Sequence, residues 1–252
     1  MTISRQIWSN YILTLRDINE TAATKLIQYL NTHSVFESAG GSVGSDIIVN
    51  EEALKEFIDY AYAIVTQYGE ASAALSAQMY DLTAELEGVF TAPAELAELA
   101  DYGDVAKSVR GTIKTSQNFE EIAGAATRWV KMAGADTTLH NALRDGAQFA
   151  WVPSGMTCAF CLTLASRGWQ YASKAAIKGG HAEHIHSNCD CNYTIRFDER
   201  TEVEGYHPDE YLSMYQHAEG RTPRERINSM RREAYAADKE TQGINNDGLI
   251  DV

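Results

Sequence analysis

Cysteine is absent before residue 158 and after residue 191, and only four occur in 252 residues. A chain of this length buries a substantial core without cross-links, so it does not need disulfide staples to fold. Proline is equally scarce, at four residues, which suits long helices. No stretch approaches the roughly 20 consecutive apolar residues that span a bilayer. The first twenty residues are polar every few positions and hold no apolar run ahead of a small-residue cleavage site, so neither a membrane segment nor a secretory signal is expected. Basic residues are outnumbered, 21 against 35 acidic ones, for a net charge of −14. Such a chain repels phosphate, and strong nucleic-acid binding is not expected. The one local exception is "RTPRERINSMRR" at 221–232, with Arg221, Arg224, Arg226, Arg231 and Arg232. It reads as a solvated helix face paired with Glu225 and Glu233, although contact with DNA stays open from the sequence. In a reducing cytoplasm, where these absences place the chain, neighbouring cysteines more often bind metal or do chemistry than form disulfides.

What is present is mostly helical pattern. Alanine, the strongest helix former, is abundant between residues 61 and 150. Residues 4–32 carry one apolar stripe at three- and four-residue steps: Ile7, Tyr11, Leu15, Ile18, Ala22, Leu26 and Tyr29. The glycine-rich "SAGGSVGS" at 38–45 has no lysine after it and reads as a linker, not a phosphate loop. Asn50 is placed to cap a second long helix, with Glu51 and Glu52 in its first turn and a stripe running from Leu54 toward Leu86. Pro93 is placed to start another helix, "PAELAELA". Shorter helices then follow, broken at Gly103, Gly111, Gly134 and Gly146, with Asp104, Asn118 and Asp136 as caps. The last of these is expected to run through "DTTLHNALRDGAQFAW". From Trp151 the pattern changes. Turns at Pro153–Gly155 and Arg167–Gly168 flank a short apolar run, and "CNYTIRF" at 191–197 reads as a strand. From Asp209 the chain is helical again, and "GINNDGLIDV" at the end reads as frayed. The expected fold is mainly α. Residues 1–150 form an elongated helical region for partner binding, 151–200 a small α+β Cys/His module, and 201–252 C-terminal helices with a tail.

All four cysteines fall in "CAFC" (158–161) and "HIHSNCDC" (184–191). A tetrahedral zinc site needs four soft ligands, and two cysteines separated by two residues wrap one edge of it. Cys158 and Cys161 have that spacing. His186, Cys189 and Cys191 supply the other side, which leaves five candidates for four places: Cys158, Cys161, Cys189 and one of His186 or Cys191. The long intervening loop is no obstacle, since closure costs only about 0.6 kcal/mol per doubling of length. Two disulfides would need cross-pairing in an oxidising compartment, because Cys189 and Cys191 are too close to bond without strain. A thioredoxin-like redox pair would need a βαβ pattern, which is missing. A cysteine nucleophile would need one thiol singled out by a base. A catalytic zinc would keep a place open for water beside a carboxylate such as Glu183. However, the sequence has neither the His-Glu-x-x-His helix of zinc proteases nor the deaminase signature. The sulfur-rich shell favours a closed, structural zinc.

"CAFC", "LASRGWQY" (164–171) and "HSNCDC" (186–191) together resemble the C-terminal module of tailed-phage minor capsid proteins of the Mu F-type head morphogenesis family. Ser187 and Asp190 stand where that family often has proline and arginine. The resemblance covers residues 151–195. It implies a low-copy protein made in the host cytoplasm, carried inside the capsid and associated with portal or capsid proteins, with a role in assembly, DNA packaging or delivery. The alternative is a zinc-dependent protease or nuclease acting during capsid maturation or DNA delivery.

Overall fold

A computed structural model describes residues 2–36, 48–153, 157–175 and 192–247. The expected linker at 38–45 lies outside them. The described chain is mainly helical, with a small sheet and C-terminal helices. After a two-residue strand, β1 (Thr2–Ile3), come α1 (Arg5–Thr32) and α2 (Glu51–Glu87). Ser4 caps α1 by accepting the Ile7 N–H, and Asn50 caps α2 by accepting the N–H groups of Glu52 and Ala53. α2 runs unbroken until Gly88 turns left-handed at φ 68°. The most buried residues of α1 are Trp8, Tyr11, Ile12, Ala22, Leu26 and Leu30. Ile7, Leu15, Ile18 and Tyr29 of the expected stripe lie only at its margin, because α1 packs on both α2 and α4 (Phe119–Asp145).

The helix expected at Pro93 does not form. Residues 89–101 run without helix from the end of α2 to α3 (Tyr102–Ile113). Span is the physical reason. The Tyr102 hydroxyl donates to Asp59 at 2.7 Å and its ring meets Tyr62 edge-on. α3 therefore starts about 26 residues back along α2 from Gly88, or ~39 Å at 1.5 Å per residue. Thirteen connecting residues cover that distance only when extended, at about 3 Å each. Half-buried Thr91, Ala94, Ala97 and Ala100 recur every three residues along this strap, and Leu99 lies over Gly69 of α2.

Two other expectations are corrected in the helical body. Asp104 is not the cap of α3, since Asp101 accepts its N–H. Nor do Gly134 and Asp136 end and restart a helix: α4 is continuous for 27 residues, from its Asn118 cap to left-handed Gly146. Gly134 is where α4 presses on α2. A Cβ there would lie 2.6 Å from Ser72 Oγ and 2.7 Å from Ser76 Oγ, closer than any real contact.

Beyond Gly146 the expected helical run gives way to β2 (Gln148–Val152), whose five residues are all buried. β2 is the centre of an antiparallel sheet, flanked by β3 (Gln170–Tyr171) and β4 (Asn192–Arg196). Between β2 and β3 lie α5 (Ala159–Ala165) and the Arg167–Gly168 turn, where Gly168 has φ 64°. β5 (Glu202–Val203) pairs in parallel with β1, so fully buried Ile3 fastens the N-terminus beside the sheet. α6 (Pro208–His217) and α7 (Pro223–Asp247) complete the described chain. α7 continues into the segment expected to be frayed.

The core has two main parts. One joins the C-terminal half of α1 and the N-terminal half of α2 to α3 and the first half of α4. The other joins Trp8 of α1, Tyr80 of α2 and Leu139 of α4 to the sheet and to Cys161 and Leu164 of α5.

Candidate metal centre

β2 leaves the core at Val152, and the chain returns to the described fold at Asn192, which is the partner of Val152 in the sheet. The segment holding Cys158 and Cys161 thus departs from the same sheet edge at which the segment holding Cys189 and Cys191 rejoins. Cys158 stands at the N-cap of α5 with extended backbone (φ −69°, ψ 153°) and makes no side-chain capping bond. Cys161, one turn in, is 1% exposed and faces the core. The two sulfurs are 3.4 Å apart. That is too far for a disulfide, whose sulfurs lie about 2.05 Å apart. It is close to the ~3.8 Å edge of a tetrahedron with 2.3 Å zinc–sulfur bonds. The chemistry and placement of this donor pair fit a zinc ion.

His186, Cys189 and Cys191 lie outside the described residues, as do His181, His184 and Glu183. Among the described residues no group of three metal-ligating side chains gathers.

Cys161 shares its core cluster with the aromatic rings of β2 and β4. Trp151 meets Tyr193 edge-on at 4.3 Å, and Tyr193 meets Phe149 at 5.7 Å. Beside it is a latch that the sequence reading missed. Arg196, 8% exposed, lies over the Trp169 ring at 4.5 Å. It donates to Gln148 Oε1 at 2.7 Å, and also to the Thr201 carbonyl and Glu202 Oε1. The signal was present as a basic residue closing the strand "NYTIR", where a buried guanidinium needs hydrogen-bond partners. Tyr206 meets Trp169 edge-on and donates to the Ala165 carbonyl at 2.8 Å.

A second polar cluster holds the strap. Arg144 donates to the carbonyls of Ala92 and Pro93, and Asn141 exchanges hydrogen bonds with the backbone of Glu95. Thr137 accepts the Ala97 N–H and Asp81 accepts that of Ala94. Asp145 braces Arg144 with two 2.7 Å bonds and accepts the Tyr80 hydroxyl. Its hydrogen bonds to Arg144 lower the Asp145 pKa, while burial and Asp145 raise that of Tyr80. Asp145 steadies Arg144, and the other bonds run from α2 and α4 to the backbone of residues 92–97, so the cluster clasps the strap.

Glu225 does not pair with the arginine side chains of 221–232. It accepts the N–H groups of Arg221 and Thr222, while Thr222 Oγ1 accepts the N–H of Glu225, a reciprocal capping box at the start of α7. Arg226 donates to the carbonyls of Tyr215 and Gln216. No described helix is long and apolar enough to cross a membrane.

A protein-family model described as VG15 protein matches residues 2–218. No curated protein and no solved structure matches the chain.

Proposed function

We propose, from the premise that the chain belongs to the VG15 protein family, a family of phage proteins, that it is a minor capsid protein of head morphogenesis. In this reading it is present in few copies inside the capsid, associated with the portal, and acts in assembly, DNA packaging or delivery. The observation that carries the reading is the extent of the family match. It runs from residue 2 to residue 218, over the helical body, the sheet and α6. The likeness of the cysteine segments to the Mu F-type module supports the narrower role.

The second part of the proposal is a structural zinc held by Cys158, Cys161, Cys189 and one of His186 or Cys191. The ion would act as a cross-link that fixes the start of α5, and such sites contribute on the order of 10 kcal/mol to folding. The convergence of the Cys158 and Cys161 sulfurs supports it. The long helices of the body would offer the partner surface.

The role is tested in the phage itself. Mass spectrometry of purified virions should find the chain at low copy. A nonsense mutation in its gene should leave heads that fail to package or deliver DNA. A chain missing from both virions and empty heads would defeat the proposal. The metal is tested separately, by elemental analysis of untagged protein purified under reducing conditions, which should give about one zinc per chain.

A further inference from the structure

We infer that the solvent face at the start of α7 docks the phosphate backbone of double-stranded DNA. The inference needs neither the metal nor the role in the head. Residues 221–232 hold five arginines and one glutamate, in a chain whose net charge is −14. The structure sorts those arginines into two kinds. Arg226 is half-buried, lies over the Tyr215 ring and is spent on the carbonyls of Tyr215 and Gln216. Arg224, Arg231 and Arg232 recur with Asn228 at the spacing of one helical face, turned away from buried Ser229 and Met230. All three are exposed, as is Arg221 just ahead of the helix.

Nothing nearby neutralises these four guanidinium groups. Glu225 is taken by the amides of Arg221 and Thr222, and Glu233 accepts the Ser229 hydroxyl at 3.0 Å. No carboxylate stands three or four positions from Arg224, Arg231 or Arg232 along α7, so the usual ion pairs within a helix cannot form. Glu219 lines the same shallow groove as Arg232 but makes no ion pair with it. Among the described residues none of the four side chains has a hydrogen-bond or ion-pair partner.

The guanidinium fork matches phosphate oxygens. Affinity for a duplex comes from counterion release and needs no apolar burial. A protein partner, in contrast, calls for an aromatic or aliphatic anchor, and no large apolar side chain is exposed between residues 221 and 232. Arg224 and Arg231 are separated by ~10 Å along the helix axis. That is close to the ~12 Å width of the major groove of B-DNA, so the two ends of the face reach phosphates on both edges. The major groove of an RNA duplex is too narrow for this. The acidic remainder of the chain keeps the contact weak and sensitive to salt.

Fluorescence anisotropy of the full chain with a short labelled DNA duplex of mixed sequence tests the inference. Binding should appear at about 50 mM salt and weaken with a log–log slope of about −3 to −4, as for three or four neutralised phosphates. Arg231→Gln with Arg232→Gln should weaken it at least about tenfold and reduce the slope by about 2. Lys107→Gln with Lys114→Gln removes the same charge from exposed positions on and beside α3, and should leave binding unchanged. Circular dichroism should show the same helix content in both variants. No binding at low salt would overturn the inference. So would an equal loss in the two variants, which would make net charge the cause. Tighter binding of polyglutamate would assign the face to an acidic protein, and tighter binding of an RNA duplex would defeat the groove argument.

Discussion

Burial works against the Asp136 carboxylate. It sits within α4, and burial alone pushes its pKa up from 3.8 to about 6. A carboxyl whose folded pKa is raised costs stability wherever the folded state must hold it ionised. The cost is absent below pH about 4, grows as pH rises, and is complete above about 6. Asp136→Asn should therefore raise stability at pH 7.5 by on the order of 2 kcal/mol, and the gain should vanish by pH 4. Denaturant melts at the two pH values check this, and an equal gain at both would mean that charge is not the cause. Local chemistry of this kind decides what could be read from the sequence. Asn50 and Asn118 were legible as caps because a cap needs only its own residue and the next few amides. The sulfurs of Cys158 and Cys161, three positions apart in the chain, lie together for a similarly local reason. Asp136 resembles a cap in the sequence, but its setting depends on which helix face is buried, which a short segment does not encode.

At the scale of elements, the strap shows propensity yielding to span. "PAELAELA" favours helix, yet it must bridge the distance from Gly88 to Tyr102, and the chain lies extended with its backbone groups bonded by α2 and α4. Thr137, Asn141 and Arg144 stand at helical spacing on one face of α4, a pattern visible in the sequence only once the strap is known. Glycine weakens helices, so Gly134 suggests a break, whereas here its missing side chain lets α4 approach Ser72 and Ser76. β2 was hidden because all five of its residues are buried, leaving no alternation to detect. The clasp can be tested directly. Asn141 is fully buried and holds both the N–H and the carbonyl of Glu95. Asn141→Ala should cost about 2–3 kcal/mol, since it leaves polar groups unpaired. A protease specific for glutamate should then cut after Glu95 or Glu98 at least about tenfold faster than in the wild type, ahead of any other site. A uniform loss of stability without early cutting in the strap would mean that Asn141 supports the core and does not hold the strap.

Across the whole molecule, the cysteine module and the helical body share one core. Ile3, Trp8, Tyr80 and Leu139 pack in the same cluster as Phe149, Trp151, Cys161 and Ile195. β1 is fastened to β5, and the Glu87 carboxylate at the end of α2 accepts the N–H groups of Phe197 and Asp198. A fragment of residues 147–252 would lose the helical half of that cluster and expose the inner face of β2 and β4. A metal cross-link fixes the loop ends but supplies no apolar surface to cover a bared sheet. The fragment should therefore stay without native amide dispersion in NMR spectra even with one equivalent of zinc. The full chain should unfold in a single transition seen alike by tryptophan fluorescence, which reports Trp151 and Trp169 near the sheet as well as Trp8 and Trp129 in the helices, and by far-ultraviolet circular dichroism, which reports mainly the helices. A fragment that folds on adding zinc would make the module autonomous, with the metal replacing the core that the helices provide. Two separated transitions in the full chain would point the same way, because they would show that the shared cluster does not couple the two halves.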